Sequence, residues 1–143
     1  MYQKDYILRM IEMLGELIRA ILGLIVKGNY QEAQEKLNEA YLTFLRKDAS
    51  FFHLIPLEKL TSTLLTGHNY TNGHLEILAE LFHAEARLQD ARGNLSESLV
   101  MYEKSLVLFS FANENFRTYS EERIEKMEKI KNRISEIKQQ NKV

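Results

Sequence analysis

The sequence predicts an all-α fold of stacked antiparallel helical hairpins that ends in a long C-terminal capping helix. Apolar residues recur at spacings of three and four along most of the 143 residues, which is the period of an amphipathic helix. The chain contains one proline and six glycines, so long helices are rarely interrupted. A Gly-Asn turn followed by a helical pattern occurs twice, as VKGNYQEAQEKLNEAYLTF over residues 26–44 and ARGNLSESLVMYEKSLVLF over residues 91–109. We therefore expect one domain over residues 1–143.

Six helices are predicted, and turn chemistry sets most of their bounds. Gly28 and Gly93 each end a helix, because glycine adopts the left-handed cap conformation without a steric penalty. Pro56 suits the first turn of a short third helix, and the loop TGHNYTNG precedes the fourth. The predicted helices cover about residues 4–27, 30–47, 57–65, 74–91, 95–111 and 114–139. We group them as hairpins over about 4–47, 57–91 and 95–139, the middle one divergent.

Small residues in the repeated phrase are expected to let the two helices of each hairpin approach closely. Ala33 and Ala40 in the first copy correspond to Ser98 and Ser105 in the second. The packing residues expected in the second copy are Phe82, Ala86, Tyr102 and Ser105. Because one hairpin cannot bury its own apolar face, the repetition favours a stack.

This pattern resembles the tetratricopeptide repeat, a helical hairpin with small and aromatic residues at fixed offsets around its turn. The matching residues are Leu17, Leu24, Gly28, Tyr30, Ala33, Leu37 and Ala40 in the first copy and Phe82, Ala86, Gly93, Leu95, Ser98, Tyr102 and Ser105 in the second. The departures are Ile21 for a small residue, Glu85 and Gln89 for apolar residues, and Leu45 and Ser110 for the closing proline. The resemblance implies a stack whose first helices line a concave, peptide-binding groove. The alternative is a closed helical bundle made of two ordinary hairpins with good turn chemistry.

Nearly the full length is also similar to a group of small bacterial proteins. They share a start like DYILRMIEMLGELIRAILGL and a later stretch like LEILAELFHAEARLQDARGNLSESLVMYEKSLVLF. This second resemblance implies a repeat-like helical fold and a bacterial source. It implies no activity, since none is established for that group.

Four polar residues of the fourth helix, Glu80, His83, Arg87 and Asp90, are the candidate partner-binding residues of the groove. Their spacings of three, four and three place them on one helical face. Such a face can clamp a peptide or its carboxylate, with the planar guanidinium of Arg87 as a fork. The alternative is an ordinary solvated face with pairs three and four residues apart.

The same offsets on the first helix give an apolar set, Ile18, Leu22, Ile25 and Val26, which are the candidate interface residues. One hairpin partner cannot bury so much apolar surface. Three covers are considered: the third helix with Phe51 and Phe52, a second copy of the chain in a homodimer, or a foreign helix or membrane surface. The membrane is least favoured, because the polar strip of this helix is not rich in Lys and Arg.

The alternative function is metal binding through Glu80-x-x-His83, with His68 and His74 approaching from the preceding loop. Di-iron bundles use two such motifs and two further glutamates, whereas this chain has one motif. The chain has no cysteine and no Gly-rich phosphate loop. We therefore expect a non-enzymatic protein with no cofactor.

Charge gives no reason to expect nucleic acid as a partner. The formal net charge is −1, and residues 114–143 carry eight Lys and Arg against six acids, too small an excess for a phosphate-binding stripe. Glu–Lys pairs four residues apart in the last helix, such as Glu122–Lys126 and Glu125–Lys129, indicate a solvated face. The expected protein is a cytoplasmic interaction module that binds a protein or peptide, without membrane contact.

Overall fold

A computed structural model of the chain describes residues 2–115 and 120–140, with side chains described from Tyr6 onward. The described residues are almost entirely helical and contain no strand, which confirms the all-α prediction. The helices are α1 (Tyr2–Val26), α2 (Tyr30–Leu45), α3 (Ala49–His53), α4 (Leu60–Ser62), α5 (Asn72–Ala91), α6 (Leu95–Asn115) and α7 (Glu121–Gln140). No helix in these ranges is both long and apolar enough to cross a membrane.

The long helices form two layers. Helix α5 packs on α1, α2 and α6, and α7 packs on α6. Helix α2 runs antiparallel to α5, since its first residue lies beside the end of α5, and α1 is therefore parallel to α5. Ion pairs join α7 to α5 in the same chain direction. Helices α1, α5 and α7 thus form one layer, with α2 and α6 behind it.

The two Gly-Asn turns have nearly the same geometry. Gly28 has φ 81° and Gly93 has φ 83°, both in the left-handed region. The backbone N–H of Asn29 donates to the carbonyl of Leu24 at 2.9 Å, and that of Asn94 donates to Gln89 at 2.9 Å. This is the hydrogen-bond pattern that closes a helix at a left-handed glycine. The predicted ends of the first and fourth helices are confirmed.

The expected small residues lie where the helices approach. Ala33 and Ala40 are buried on α2, which packs on α1 and α5. In the second hairpin, the Ser98 hydroxyl donates to the carbonyl of Ala86 at 2.9 Å, and the Ser105 hydroxyl donates to that of Ala79 at 2.8 Å. The packing role expected of Phe82, Ala86, Tyr102 and Ser105 is confirmed, since all four are buried.

The segment of residues 46–71, here called the insertion, differs from the prediction. Instead of one helix over 57–65, it contains α3, a 3₁₀ turn at Leu57–Lys59, the single turn α4 and a π-helical turn at Thr63–Gly67. Asp48 caps α3 by accepting from the N–H of Phe51 at 3.0 Å. The grouping of hairpins also differs, because α5 pairs with α6 and not with the insertion.

The C-terminal end of the fold is α7. Helix α6 continues to Asn115, so residue 114, predicted to open the last helix, belongs to α6. The predicted stretch 116–119 lies outside the described residues. Ile130, Ile134 and Ile137 of α7 are buried, whereas Ile124 and Met127 are partly exposed. Helix α7 therefore closes the stack with one apolar edge and a mainly charged outer surface.

Candidate functional site

A groove of about 420 Å³ lies between α1, α5 and α7. We call it the groove. Its α1 wall is largely apolar and its α5 and α7 walls are polar. The lining residues are Ile11, Gly15, Ile18, Arg19 and Leu22 of α1, Glu80, His83, Ala84 and Arg87 of α5, and Glu122, Glu125, Lys126 and Lys129 of α7. Three parallel helices of one layer thus supply the whole surface.

Three of the four predicted polar residues line the groove, and Asp90 does not. The Asp90 carboxylate accepts from Arg133 Nε and Nη2, both at 2.7 Å, and from the Tyr102 hydroxyl at 3.0 Å. The bonds from Arg133 hold the pKa of Asp90 below its usual range. Asp90 is therefore part of the α5–α7 contact and is not available to a partner.

Glu80 borders the groove but is also engaged. Its two carboxylate oxygens accept from Lys126 Nζ at 2.8 and 2.9 Å. Lys126 makes this contact with α5 in place of the pair with Glu122 that its spacing predicts. The second predicted pair, Glu125–Lys129, is also not formed among the described residues. The face predicted to be solvated is therefore partly a groove wall.

His83 lies on the groove side of α5, beside the rings of Tyr102 and Phe109, with centroids 6.1 and 6.4 Å away. Burial, together with the smaller effect of the positive charges of Arg87, Lys126 and Lys129, lowers the pKa of His83 to about 4. The imidazole is therefore neutral at neutral pH and can both donate and accept. None of the described residues hydrogen-bonds to it.

Besides Arg19 on the α1 wall, which is also exposed without an ion-pair partner among the described residues, Arg87 and Lys129 are the available cations of the groove. Both side chains are exposed, and no carboxylate of the described residues lies within ion-pairing distance of either one. Arg87 was expected in this position from the fourth helix alone. Lys129 was not, because its place opposite α5 depends on how α7 docks. The only sequence signal was the charge density of the last helix.

The apolar candidates on α1 divide into two pairs. Ile18 and Leu22 line the groove. Ile25 is partly buried against the core, and Val26 is 84% exposed at the end of the helix. Cover by the third helix with Phe51 and Phe52 was one of the three alternatives, and neither of these rings stacks on α1: Phe51 contacts His68, and Phe52 contacts Tyr41 and Tyr70.

The residues of the metal alternative are dispersed. Glu80 is paired with Lys126, His74 caps the start of α5 by bonding Thr71, and His68 packs on Phe51. Over the described ranges, no group of three or more histidines and acids is placed to hold a metal ion. The geometry thus brings Glu80 and His83 to one groove without the further ligands that a metal site needs.

Comparison with protein-family models, curated proteins and solved structures found no match for this chain.

Proposed function

We propose that this chain is a non-enzymatic interaction module with a tetratricopeptide-like stack, and that the groove binds a segment of a partner protein. The observation that carries the proposal is the division of one groove into an apolar wall and a wall with available polar groups. Ile18 and Leu22 offer apolar surface, while Arg87 and Lys129 have no ion-pair partner among the described residues. A cytoplasmic location fits this role and the absence of cysteine.

The groove chemistry favours a peptide with an apolar anchor beside an acidic or carbonyl-rich stretch. An apolar side chain against Ile18 and Leu22 would be removed from water. A carboxylate at Arg87 would form charge-assisted hydrogen bonds. His83, which is neutral, would bond either a peptide N–H or a carbonyl. A groove of about 420 Å³ holds a few side chains, not a folded domain, so the partner segment should be short.

A peptide-display selection tests the proposal. The wild-type chain is the bait, and each enriched peptide is then measured by fluorescence polarisation against Ile18→Glu and Arg87→Glu. We expect each groove variant to lose about tenfold or more in affinity, since one buried contact or ionic bond is worth about 1.4 kcal/mol or more. Glu39→Lys on the exposed side of α2 is the control and should bind as wild type. No enrichment, or binding unchanged in both groove variants, would contradict the proposal.

Self-association is a second candidate, favoured by apolar side chains on the outside of α1. Tyr6 and Met13, seven residues apart on one face of the helix, are 54% and 59% exposed. A homodimer through this face would remove them from water. Light scattering over a range of concentrations tests it: we expect a dimer mass for the wild type and a monomer mass for Met13→Glu. A monomer at all concentrations would reject the homodimer and leave the groove proposal intact.

A further inference from the structure

Two buried polar residues on α5 face away from the groove, toward the layer of α2 and α6. Glu85 is 4% exposed and Gln89 is 7% exposed, and both stand where the repeat pattern calls for apolar residues. Burying a polar group is costly unless it is hydrogen-bonded. The Tyr41 hydroxyl donates to Glu85 Oε1 at 2.8 Å, and His53 Nε2 lies 2.7 Å from Glu85 Oε2. The insertion thus places a histidine on a buried carboxylate.

Beside this cluster lies a second cavity of about 240 Å³. It is formed by α5, α6 and the end of α3. Its lining residues are His53, Glu85, Gln89, Glu97, Val100, Met101 and Lys104. The four residues from α6 lie on one face, with a carboxylate at one end and an ammonium at the other. Glu97 and Lys104 are seven positions apart, about 10 Å along a helix axis, and Val100 and Met101 lie between them.

The ammonium group of Lys104 is buried and only partly satisfied. The residue is 6% exposed, and Nζ donates to the carbonyl of His53 at 2.7 Å. An ammonium has three N–H donors, and among the described residues this is the one hydrogen bond that Lys104 makes, with no ion pair. Burial lowers the pKa of Lys104, because it disfavours the charged form. An anion bound in the cavity would stabilise that charged form.

The opposite end of the cavity has the reverse charge. Glu97 is exposed, and no cation of the described residues pairs with its carboxylate. Val100 lies between Glu97 and Lys104 on the face of α6 that lines the cavity, and it is 51% exposed. The cavity therefore has a cationic end at Lys104 that can bind an anion, an apolar middle, and an anionic end at Glu97 that can bind a cation.

We propose that this second cavity binds a small zwitterion whose carboxylate and ammonium groups are separated by a short methylene chain, as in lysine or an ω-amino acid. The carboxylate of the ligand accepts from Lys104, its ammonium donates to Glu97, and its methylene groups lie on Val100 and Met101. The volume suits such a molecule, since cavities for drug-sized ligands are larger, about 300–1,000 Å³. This site is independent of the groove, which lies on the other side of α5.

Protein-observed NMR titration with three matched probes tests the site. ε-Aminocaproate carries both charges, caproate carries the carboxylate alone, and hexylamine carries the ammonium alone. We expect ε-aminocaproate to shift the amide resonances of residues 97–104 and to bind about tenfold or more tightly than either single-charge probe. L-Lysine should shift the same resonances. Absence of saturable shifts with ε-aminocaproate, or equal affinity for hexylamine, would overturn the proposal.

Variants separate the two ends of the cavity. Glu97→Gln changes an exposed side chain and should weaken ε-aminocaproate about tenfold while leaving caproate unchanged. Lys104→Met should weaken both ε-aminocaproate and caproate. Because Lys104 also bonds the insertion, its variant is first checked for a native NMR spectrum, and Glu97→Gln keeps the test decisive if that variant does not fold. Glu114→Gln on the same helix is the control and should bind as wild type. Unchanged binding in Glu97→Gln would reject the proposed orientation.

Discussion

The α1–α2 and α5–α6 hairpins share one turn and differ in nearly everything that faces outward from it. A glycine with φ near +80° ends the first helix of each, and the following asparagine closes the same hydrogen bond. On the groove side, α1 presents Ile18 and Leu22 where α5 presents His83 and Arg87. Between the helices, the first hairpin packs alanines and the second packs serines. Backbone geometry is thus set by a few residues, and the rest are free to define the surface.

The largest expected difference between the hairpins is at the residue between the two small ones. Leu37 is fully buried, so Leu37→Ala should lower the unfolding free energy by about 2–5 kcal/mol through lost burial and a cavity. At the matching position, Tyr102→Phe keeps the ring and loses the bond to Asp90, which Arg133 still satisfies. We expect about 1–2 kcal/mol there. Urea unfolding measures both, and equal losses would contradict this distinction.

The second expected difference depends on pH, because His83 titrates and its counterpart Ile18 does not. The folded-state pKa of His83 is about 4, below the ordinary value of 6.5. The unfolded chain therefore takes up a proton first as pH falls, so stability present above pH 6.5 is lost toward pH 4. The loss due to His83 should reach about 3 kcal/mol.

Urea unfolding of wild type and His83→Gln between pH 7 and pH 4 isolates this contribution. Other groups titrate in both proteins, so the change in their difference is the quantity to compare. Parallel stability curves for the two proteins would mean that His83 is already hydrated or charged in the folded state.

The third prediction concerns what the hairpins share. Gly28→Ala and Gly93→Ala should each cost about 1–2 kcal/mol, because a side chain disfavours the left-handed region. No neighbouring atom lies within 4 Å of the added Cβ at either site, so the cost is that of the backbone alone and should be equal. Gly67→Ala is the control: it has similar space without a positive φ and should be neutral or slightly stabilising. Thermal unfolding that differs between the two turns would show that they are not equivalent.

The smallest expected effect is that of the serines that distinguish the second hairpin. Ser105→Ala removes a hydrogen bond to the Ala79 carbonyl. That carbonyl lies within α5 and has its helical partner as well, so we expect a loss of about 0.5–1 kcal/mol. Ser96→Ala, on the exposed side of α6, should change stability by less than about 0.5 kcal/mol. A Ser105→Ala protein as stable as wild type would mean that only the size of this residue matters.

Predictions from sequence succeeded where the cause is local. A glycine after a helical pattern requires no knowledge of distant residues, and both turns were found as expected. The burial of Phe82 and Ala86 was also predictable, since the repeated pattern around the Gly93 turn assigns both to packing positions of α5. The insertion was less predictable. Its apolar residues, such as Phe52, indicate burial, but several short turns and one helix have similar local patterns.

The candidate site was only partly predictable. Spacing placed Glu80, His83, Arg87 and Asp90 on one face, yet two of them are engaged by Lys126 and Arg133 of α7. Those partners are more than forty residues away in the chain, and no local pattern states which acid a distant lysine will meet. The structure therefore reduced four candidates to an available pair and added Lys129 from α7.

By itself, the sequence determined the helical class, the two hairpin turns and the apolar faces, because each depends on conformational preferences and periodicity within about twenty residues. Only the tertiary structure decided which polar groups remain available. Docking of α7 onto α5 pairs Asp90 with Arg133 and Glu80 with Lys126. Docking of the insertion onto α2 and α6 places His53 beside the buried Glu85. Whether a charged side chain is paired, buried or available depends on distances between segments, and those distances exist only once the helices have packed.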